Sequence, residues 1–148
     1  MFTIEKSAYL DMAAQGIAEY PLECCGLLLG NRAEERIEKI RAMPNASGEN
    51  RRESHFLIEP FAMYGAEQEA EKEGWEILGF YHSHPDMPAM LSKEDEAYMI
   101  PGLAYAVLSV GAEGLKDLQV YWKNRMAEKP SIKTIRFVTI QNPADVSF

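Results

Sequence analysis

Two histidines at alternate positions, His82 and His84, are followed by Ser92 and Asp95, and these residues carry the clearest chemistry in the chain. Zinc takes imidazole nitrogen and carboxylate oxygen at about 2.0–2.2 Å, usually in a tetrahedron. Structural zinc sites fill all four positions with protein groups, whereas catalytic ones leave one for water. Two histidines and one aspartate make three ligands. The only cysteines, Cys24 and Cys25, are adjacent, so the spaced pair of a zinc ribbon or finger is absent. The counting favours an open metal, and bound zinc lowers the pKa of its water to about 7. Such a site also needs a base to take the proton from that water. Glu23 stands just ahead of an apolar run, where partial desolvation raises a carboxylate toward working pH. On residue type alone it is one of several carboxylates.

The histidines follow the run Trp75-Glu76-Ile77-Leu78-Gly79-Phe80-Tyr81, which by length and aromatic content is a buried strand. Side chains alternate along a strand, so His82 and His84 share one face and Ser83 takes the other. The segment Pro85–Leu91, with two prolines, is a loop. A helical pattern opens at Ser92 and runs through Met99 to Pro101-Gly102. Ser92 is a natural N-cap, with Asp95 in the first turn facing back toward the histidines. Glu94 and Glu96 compete for the ligand role on composition, but helix geometry sends them elsewhere. Ser92 would have to serve as both cap acceptor and donor to substrate.

These residues resemble the JAMM (MPN-plus) metalloprotease family of zinc isopeptidases and amidases. The family pattern is an upstream Glu, then His-x-His, seven residues, Ser, two residues, Asp. The chain has Glu23, His82-Ser83-His84, Pro85–Leu91, Ser92, Lys93-Glu94 and Asp95. The flanks "PLECCGLLLG" and "GFYHSHP" are also similar, and the likeness covers about residues 2 to 125. One departure is Leu91, where many relatives carry proline before the serine. The resemblance implies that His82, His84 and Asp95 bind Zn2+. It also implies that Glu23 takes a proton from the zinc-bound water and delivers it to the leaving nitrogen, and that Ser92 donates to the oxyanion. The implied fold is a single MPN-like domain of cytidine-deaminase-like architecture.

The bulk properties are compatible with this. The chain has 148 residues, 47% of them hydrophobic, enough for one core. A formal net charge of −8 disfavours nucleic-acid binding. No apolar run approaches the ~20 residues of a transmembrane helix. The start Met1-Phe2-Thr3-Ile4-Glu5-Lys6 lacks a signal peptide's pattern. Neighbouring cysteines make a rare, strained disulfide, so thiols in a reducing, cytoplasmic setting are expected.

Expected strands cover residues 2–5, 25–30, 36–43, 75–81, 104–110, 118–122 and 132–140, with another from His55 to Ile58. Expected helices cover 7–19 and 60–73, the latter with Pro60 at its first position. The order is mixed, with helices between mostly meandering strands, which argues for α+β or mixed α/β and against a doubly wound parallel sheet. The family resemblance implies a curved, mixed, mostly antiparallel sheet flanked by helices. A domain over 1–140 and a tail over 141–148 follow from this reading.

Several residues invite simpler readings. His55 is a strand-start histidine that could line the site. Cys24 and Cys25 tempt a thiol mechanism, but alternation along a strand sends one thiol to each face of the sheet. Asp86 reads as a solvated loop charge, and Glu67–Glu73 as a solvated helix face.

The compact chain resembles prokaryotic family members that process ubiquitin-like sulfur-carrier proteins by cutting after a C-terminal Gly-Gly. An extended Gly-Gly tail suits a narrow site, because glycine lets the scissile carbonyl approach closely. Arg41, Arg51 and Arg52 could meet acidic patches on such a carrier. The alternatives are a general deubiquitinase-like isopeptidase and a non-catalytic MPN scaffold that binds protein partners. A zinc nucleobase deaminase is disfavoured, because its His-x-Glu and Pro-Cys-x-x-Cys are absent. Oligomeric state stays open, with a homodimer among the options.

Overall fold

The computed structural model describes residues 1–47 and 58–138. Eight strands and three helices lie among the described residues: β1 (Phe2–Glu5), α1 (Lys6–Glu19), β2 (Cys25–Asn31), β3 (Arg36–Met43), α2 (Pro60–Glu73), β4 (Glu76–Pro85), α3 (Lys93–Ala97), β5 (Ala104–Gly111), β6 (Gly114–Trp122), β7 (Ser131–Lys133) and β8 (Ile135–Val138). They form one mixed sheet in the order β7-β6-β5-β4-β2-β3-β1-β8. Four of its seven ladders are antiparallel. The β1–β3, β1–β8 and β4–β5 ladders are parallel. The expected α+β class and curved mixed sheet are borne out.

The curvature is strong. β7 and β8 lie at opposite ends of the strand order, yet only Thr134 separates them. Two residues of extended chain reach about 7 Å, so the two edges of the sheet must meet. Contacts across the seam agree. The Phe2 and Trp122 rings are 5.9 Å apart, and Lys133 lies over Trp122 at 5.3 Å. The single strand expected over 132–140 is therefore two strands that close the curl, and 139–140 lie outside the described residues.

Each face has its own cover. α1 packs on one face with Ala8 and Met12 against Leu28, Leu78, Tyr81, Leu108 and Val110. Its Gly16 sits so close to β5 that a Cβ there would lie 3.1 Å from Val110. α2 covers the other face with Ala66 and Ala70 against Cys25, Leu27, Leu29 and Met43. Pro60 lies in its first turn, Glu59 caps its start, and left-handed Gly74 (φ +83°) ends it. A third cluster, Ala89, Met99, Tyr105, Val107 and Tyr121, holds the loop after β4 and the chain after α3.

Three boundaries differ from expectation by more than a residue. β6 starts at Gly114 and not at 118, because its antiparallel pairing with β5 runs back to Gly111. Two more lie at the site. β4 continues through the histidines to Pro85 because β2 and β5 pair with it on both sides there. α3 stops at Ala97, two residues before Met99, which turns inward to 1% exposure and makes the chain leave the helix. The strand expected from His55 falls on 48–57, and the tail on 141–148, both outside the described residues. Ile58 is described and is not in a strand. Among the described residues, no helix is long and apolar enough to cross a membrane.

Candidate metal centre

β4 sits in the middle of the sheet and carries both histidines. A bulge precedes them: Leu28 pairs with Gly79 and Leu29 with Ile77, which leaves Leu78 as the extra residue. Gly79 (φ +157°) is required at that point, because a Cβ there would lie 1.8 Å from the Ala104 carbonyl oxygen. Beyond the bulge, alternation is regular. His82 and His84 are 1% and 5% exposed on one face. Ser83 is buried on the other, where its Oγ accepts from the Cys24 N–H at 2.8 Å. The Ser83 N–H donates to the Cys24 carbonyl at 3.0 Å.

These bonds extend the antiparallel register. Cys25 pairs with His82 and Cys24 bonds to Ser83, so Glu23 falls opposite His84. The Glu23 Oε1 lies 3.9 Å from His84 Nε2. The preceding Tyr20–Pro21 bond is cis. The Glu23 carbonyl accepts from Asn45 Nδ2 at 3.0 Å, which fixes the backbone beneath the carboxylate.

The third element is α3. The Ser92 Oγ accepts from the Asp95 N–H at 3.0 Å, and the Asp95 Oδ2 accepts from the Ser92 N–H at 2.9 Å. This capping box aims the carboxylate at β4. The Asp95 Oδ2 is 3.2 Å from His82 Nε2 and 3.3 Å from His84 Nε2. The two Nε2 atoms are 3.1 Å apart. A tetrahedral centre with bonds of about 2.0–2.2 Å places its ligand atoms about 3.3–3.6 Å apart. The triangle formed by His82, His84 and Asp95 matches that edge to within a few tenths of an ångström. Glu23, His82 and His84 also have donor atoms within 4.8 Å of one another and could hold an ion. The His82–His84–Asp95 set is the tighter fit, with Glu23 standing one step outside it.

Hydrogen bonding sets the tautomer of His84. Its Nδ1 is 3.2 Å from the Pro88 carbonyl, which can only accept. In the neutral ring Nδ1 therefore carries the hydrogen, and Nε2 turns its lone pair to the site. The loop supplying that carbonyl is anchored throughout. The Asp86 N–H donates to the Val110 carbonyl at 2.7 Å. Ser109 Oγ donates to the Met87 carbonyl at 2.5 Å, and Tyr121 OH to the Ala89 carbonyl at 2.7 Å. Tyr20 OH donates to Asp86 at 2.7 and 2.8 Å. Asp86 is thus exposed but bonded, which corrects its reading as a merely solvated charge. With these bonds, Leu91 in place of proline does not leave the loop slack.

Burial and charge tune each group. Burial pushes His82 down and outweighs its hydrogen bond to Asp95, so the ring is neutral and ready to ligate. Burial would also lower His84, but the hydrogen bonds to Asp95 and Pro88 and the nearby carboxylates raise it. Burial alone would raise Asp95; hydrogen bonds from both histidines and the Ser92 N–H hold it well below the usual range. Glu23 is pushed up to about 7 by burial, against the attraction of His84 and with help from Asp95 and Glu94. Its Oε2 is buried with no hydrogen-bond partner among the described residues.

The other sequence candidates fall apart from this cluster. Cys24 and Cys25 are free and buried in cores on opposite faces. Burial raises them to about 11 and about 12, which rules against a thiolate nucleophile. Glu94 and Glu96 are exposed. Arg41 pairs with Glu69 of α2 and Lys39 with Glu73, so the acidic helix face is partly paired as well as solvated. His55, Arg51 and Arg52 lie outside the described residues. Sequence reasoning missed Ser109, Tyr121 and Asn45, whose partners lie 22 or more positions away.

A curled mixed sheet with two inward histidines on its central strand, a capped aspartate and a buried glutamate defines a metal-site domain of the JAB/MPN type. The chain belongs to the family described as prokaryotic homologs of the JAB domain, which matches residues 5–123. It is 34% identical over 85 residues to a probable TtuB-protein conjugate cleaving protease of Thermus thermophilus, covering 57% of this chain and 54% of that protein. It is 34% identical over 87 residues to a desampylase of Pyrococcus furiosus, covering 59% of each. It is also 34% identical over 121 residues to the tail tip assembly protein K of Escherichia phage N15, covering 80% of this chain and 45% of that protein. The chain thus spans less than two thirds of these relatives. A solution structure from Desulfitobacterium hafniense superposes over the full length of both chains, with a TM-score of 0.79 and 26% identity. A JAB1/MPN domain protein of Archaeoglobus fulgidus shares the fold at a TM-score of 0.57 and 17% identity, over 93% of this chain and 97% of that one.

Proposed function

We propose that this chain is a zinc-dependent hydrolase that cuts the peptide or isopeptide bond after the C-terminal Gly-Gly of a ubiquitin-like protein. The observation that carries the reading is the convergence of His82, His84 and Asp95 to mutual distances of 3.1–3.3 Å beside a buried Glu23. The names of two relatives, a probable conjugate cleaving protease and a desampylase, support a protein-conjugate substrate. Free, buried cysteines fit a reducing compartment such as the cytoplasm.

His82, His84 and Asp95 would hold the metal. A bound zinc supplies Lewis acidity and an acidified water. Glu23 is placed to take a proton: its carboxylate is desolvated, its affinity for a proton is matched to neutral pH, and its Oε2 has room for one. It returns that proton to the departing nitrogen. The Ser92 oxygen is used as a cap acceptor, but a hydroxyl has one hydrogen and two lone pairs. Its hydrogen remains to donate to the developing oxyanion, which removes the conflict between its two duties. A glycine before the cut lets the scissile carbonyl approach the site closely, because no Cβ stands in the way.

The test is hydrolysis of a carrier conjugate ending in Gly-Gly, followed by mass, for wild type and Glu23→Gln with zinc measured in both. The reading predicts about one zinc per chain in each and cleavage slowed about 10²–10⁴-fold in the variant. Likeness to a phage tail tip protein makes a second arm useful: unrelated glycine-containing peptides. Zinc-loaded protein that cuts those peptides equally well contradicts the carrier assignment. Zinc-loaded wild type that cuts nothing supports a scaffold instead.

A further inference from the structure

Lys123 follows β6 and is 3% exposed, the one buried lysine among the described residues. Its Nζ donates to the Met126 carbonyl at 3.3 Å and the Glu96 carbonyl at 3.5 Å. No carboxylate of the described residues pairs with it. A buried ammonium held only by carbonyls gains less stability than an apolar side chain of similar shape. What it touches offers a better account. Glu96 is the neighbour of Asp95, and its carbonyl lies in the last turn of α3. A cation at that end complements the helix dipole.

α3 needs such support. It has five residues, none of them buried, and so short a helix does not hold itself. The capping box fixes its start. Its far end is fixed by buried Met99, by the Ile100 N–H donating to Tyr105 OH at 2.9 Å, and by Lys123. The Lys123 carbonyl also accepts from the Gly102 N–H at 3.1 Å, so one residue grips both ends of the segment after α3. Two positions earlier, Tyr121 holds the loop that orients His84.

We propose that Lys123 is a positioning residue: it sets the distance of Asp95 from the two histidines by anchoring the carbonyl end of α3. The inference rests on Asp95 being a metal ligand.

The test compares Lys123→Met, Lys123→Arg, Asp95→Asn and the double variant Asp95→Asn/Lys123→Met. Zinc affinity is read by competition with a chromophoric chelator, and geometry by the visible spectrum of the cobalt-substituted protein. Loss of a residue that orients a ligand costs about 10–100-fold in metal affinity. Lys123→Met should show a loss in that range and an altered cobalt spectrum, and Lys123→Arg should restore most of both. The double variant should bind no more weakly than Asp95→Asn alone, since the two act through one contact. If Lys123→Met fails to fold, Lys123→Gln is read the same way. Wild-type affinity and spectrum in the folded variant overturn the inference even if stability has fallen. Additive losses in the double variant overturn it too. Unchanged zinc affinity in Asp95→Asn sinks the ligand assignment itself, a failure distinct from that of Lys123.

Discussion

The proposed metal centre joins two unlike supports. His82 and His84 stand on β4, paired on both sides and almost fully buried. Asp95 stands on a five-residue helix with no buried residue. The strand side is rigid because ladder hydrogen bonds and two cores over-determine it. The helix side is held at discrete points: a capping box, Met99, Tyr105 and Lys123. Loss of a histidine on the strand should therefore remove function outright, while changes to the groups that surround the strand or hold the helix should grade it.

The largest effect is expected from His84→Ala. The variant should bind no zinc at equimolar metal and show no hydrolysis, as measured by elemental analysis and carrier cleavage. Retention of one tight zinc would break the comparison, because the ion would then be held without the strand. Glu23→Gln comes next. It should keep zinc and lower the rate about 10²–10⁴-fold. Wild-type activity should be lost as pH falls through about 7, since the protonated carboxyl cannot accept a proton. The variant should lack that limb. A bound cation attracts the carboxylate form, so the midpoint with zinc should lie at or below the metal-free value.

Ser92 separates two duties on the helix side. Ser92→Gly loses the hydroxyl donor but costs only a few tenths of a kcal/mol as a cap. Ser92→Ala loses both, with about 1 kcal/mol of cap stability. Rates should fall about 10²–10³-fold in each, while urea midpoints should drop mainly for alanine. Similar rates for wild type and glycine would remove Ser92 from the chemistry. The smallest effect is expected from Tyr121→Phe, which frees the Ala89 carbonyl. About 1 kcal/mol of stability should be lost, with zinc affinity falling about tenfold through the slackened Pro88–His84 bond.

The same division governs what could be read from the chain. The spacing of His82, His84, Ser92 and Asp95 is local, so strand alternation and a cap motif placed them correctly relative to one another. The strand length was not legible, because β4 is extended by pairing with β2 and β5, which are remote in sequence. The bulge at Leu78 was hidden for the same reason: it puts Leu78 and Tyr81 in one core despite their odd spacing. Glu23 could be singled out only through the family pattern, since its place opposite His84 comes from antiparallel register. Ser109, Tyr121 and Lys123 were invisible, being hydroxyls and an amine whose partners appear only when the sheet curls. The split of 132–140 into β7 and β8 required knowledge of that closure.

X-ray absorption at the zinc edge of the loaded protein tests the central claim most directly. The account predicts nitrogen and oxygen neighbours alone at about 2.0–2.2 Å, two of them imidazole. A sulfur neighbour at about 2.3 Å, or fewer than two imidazoles on the zinc, would contradict it.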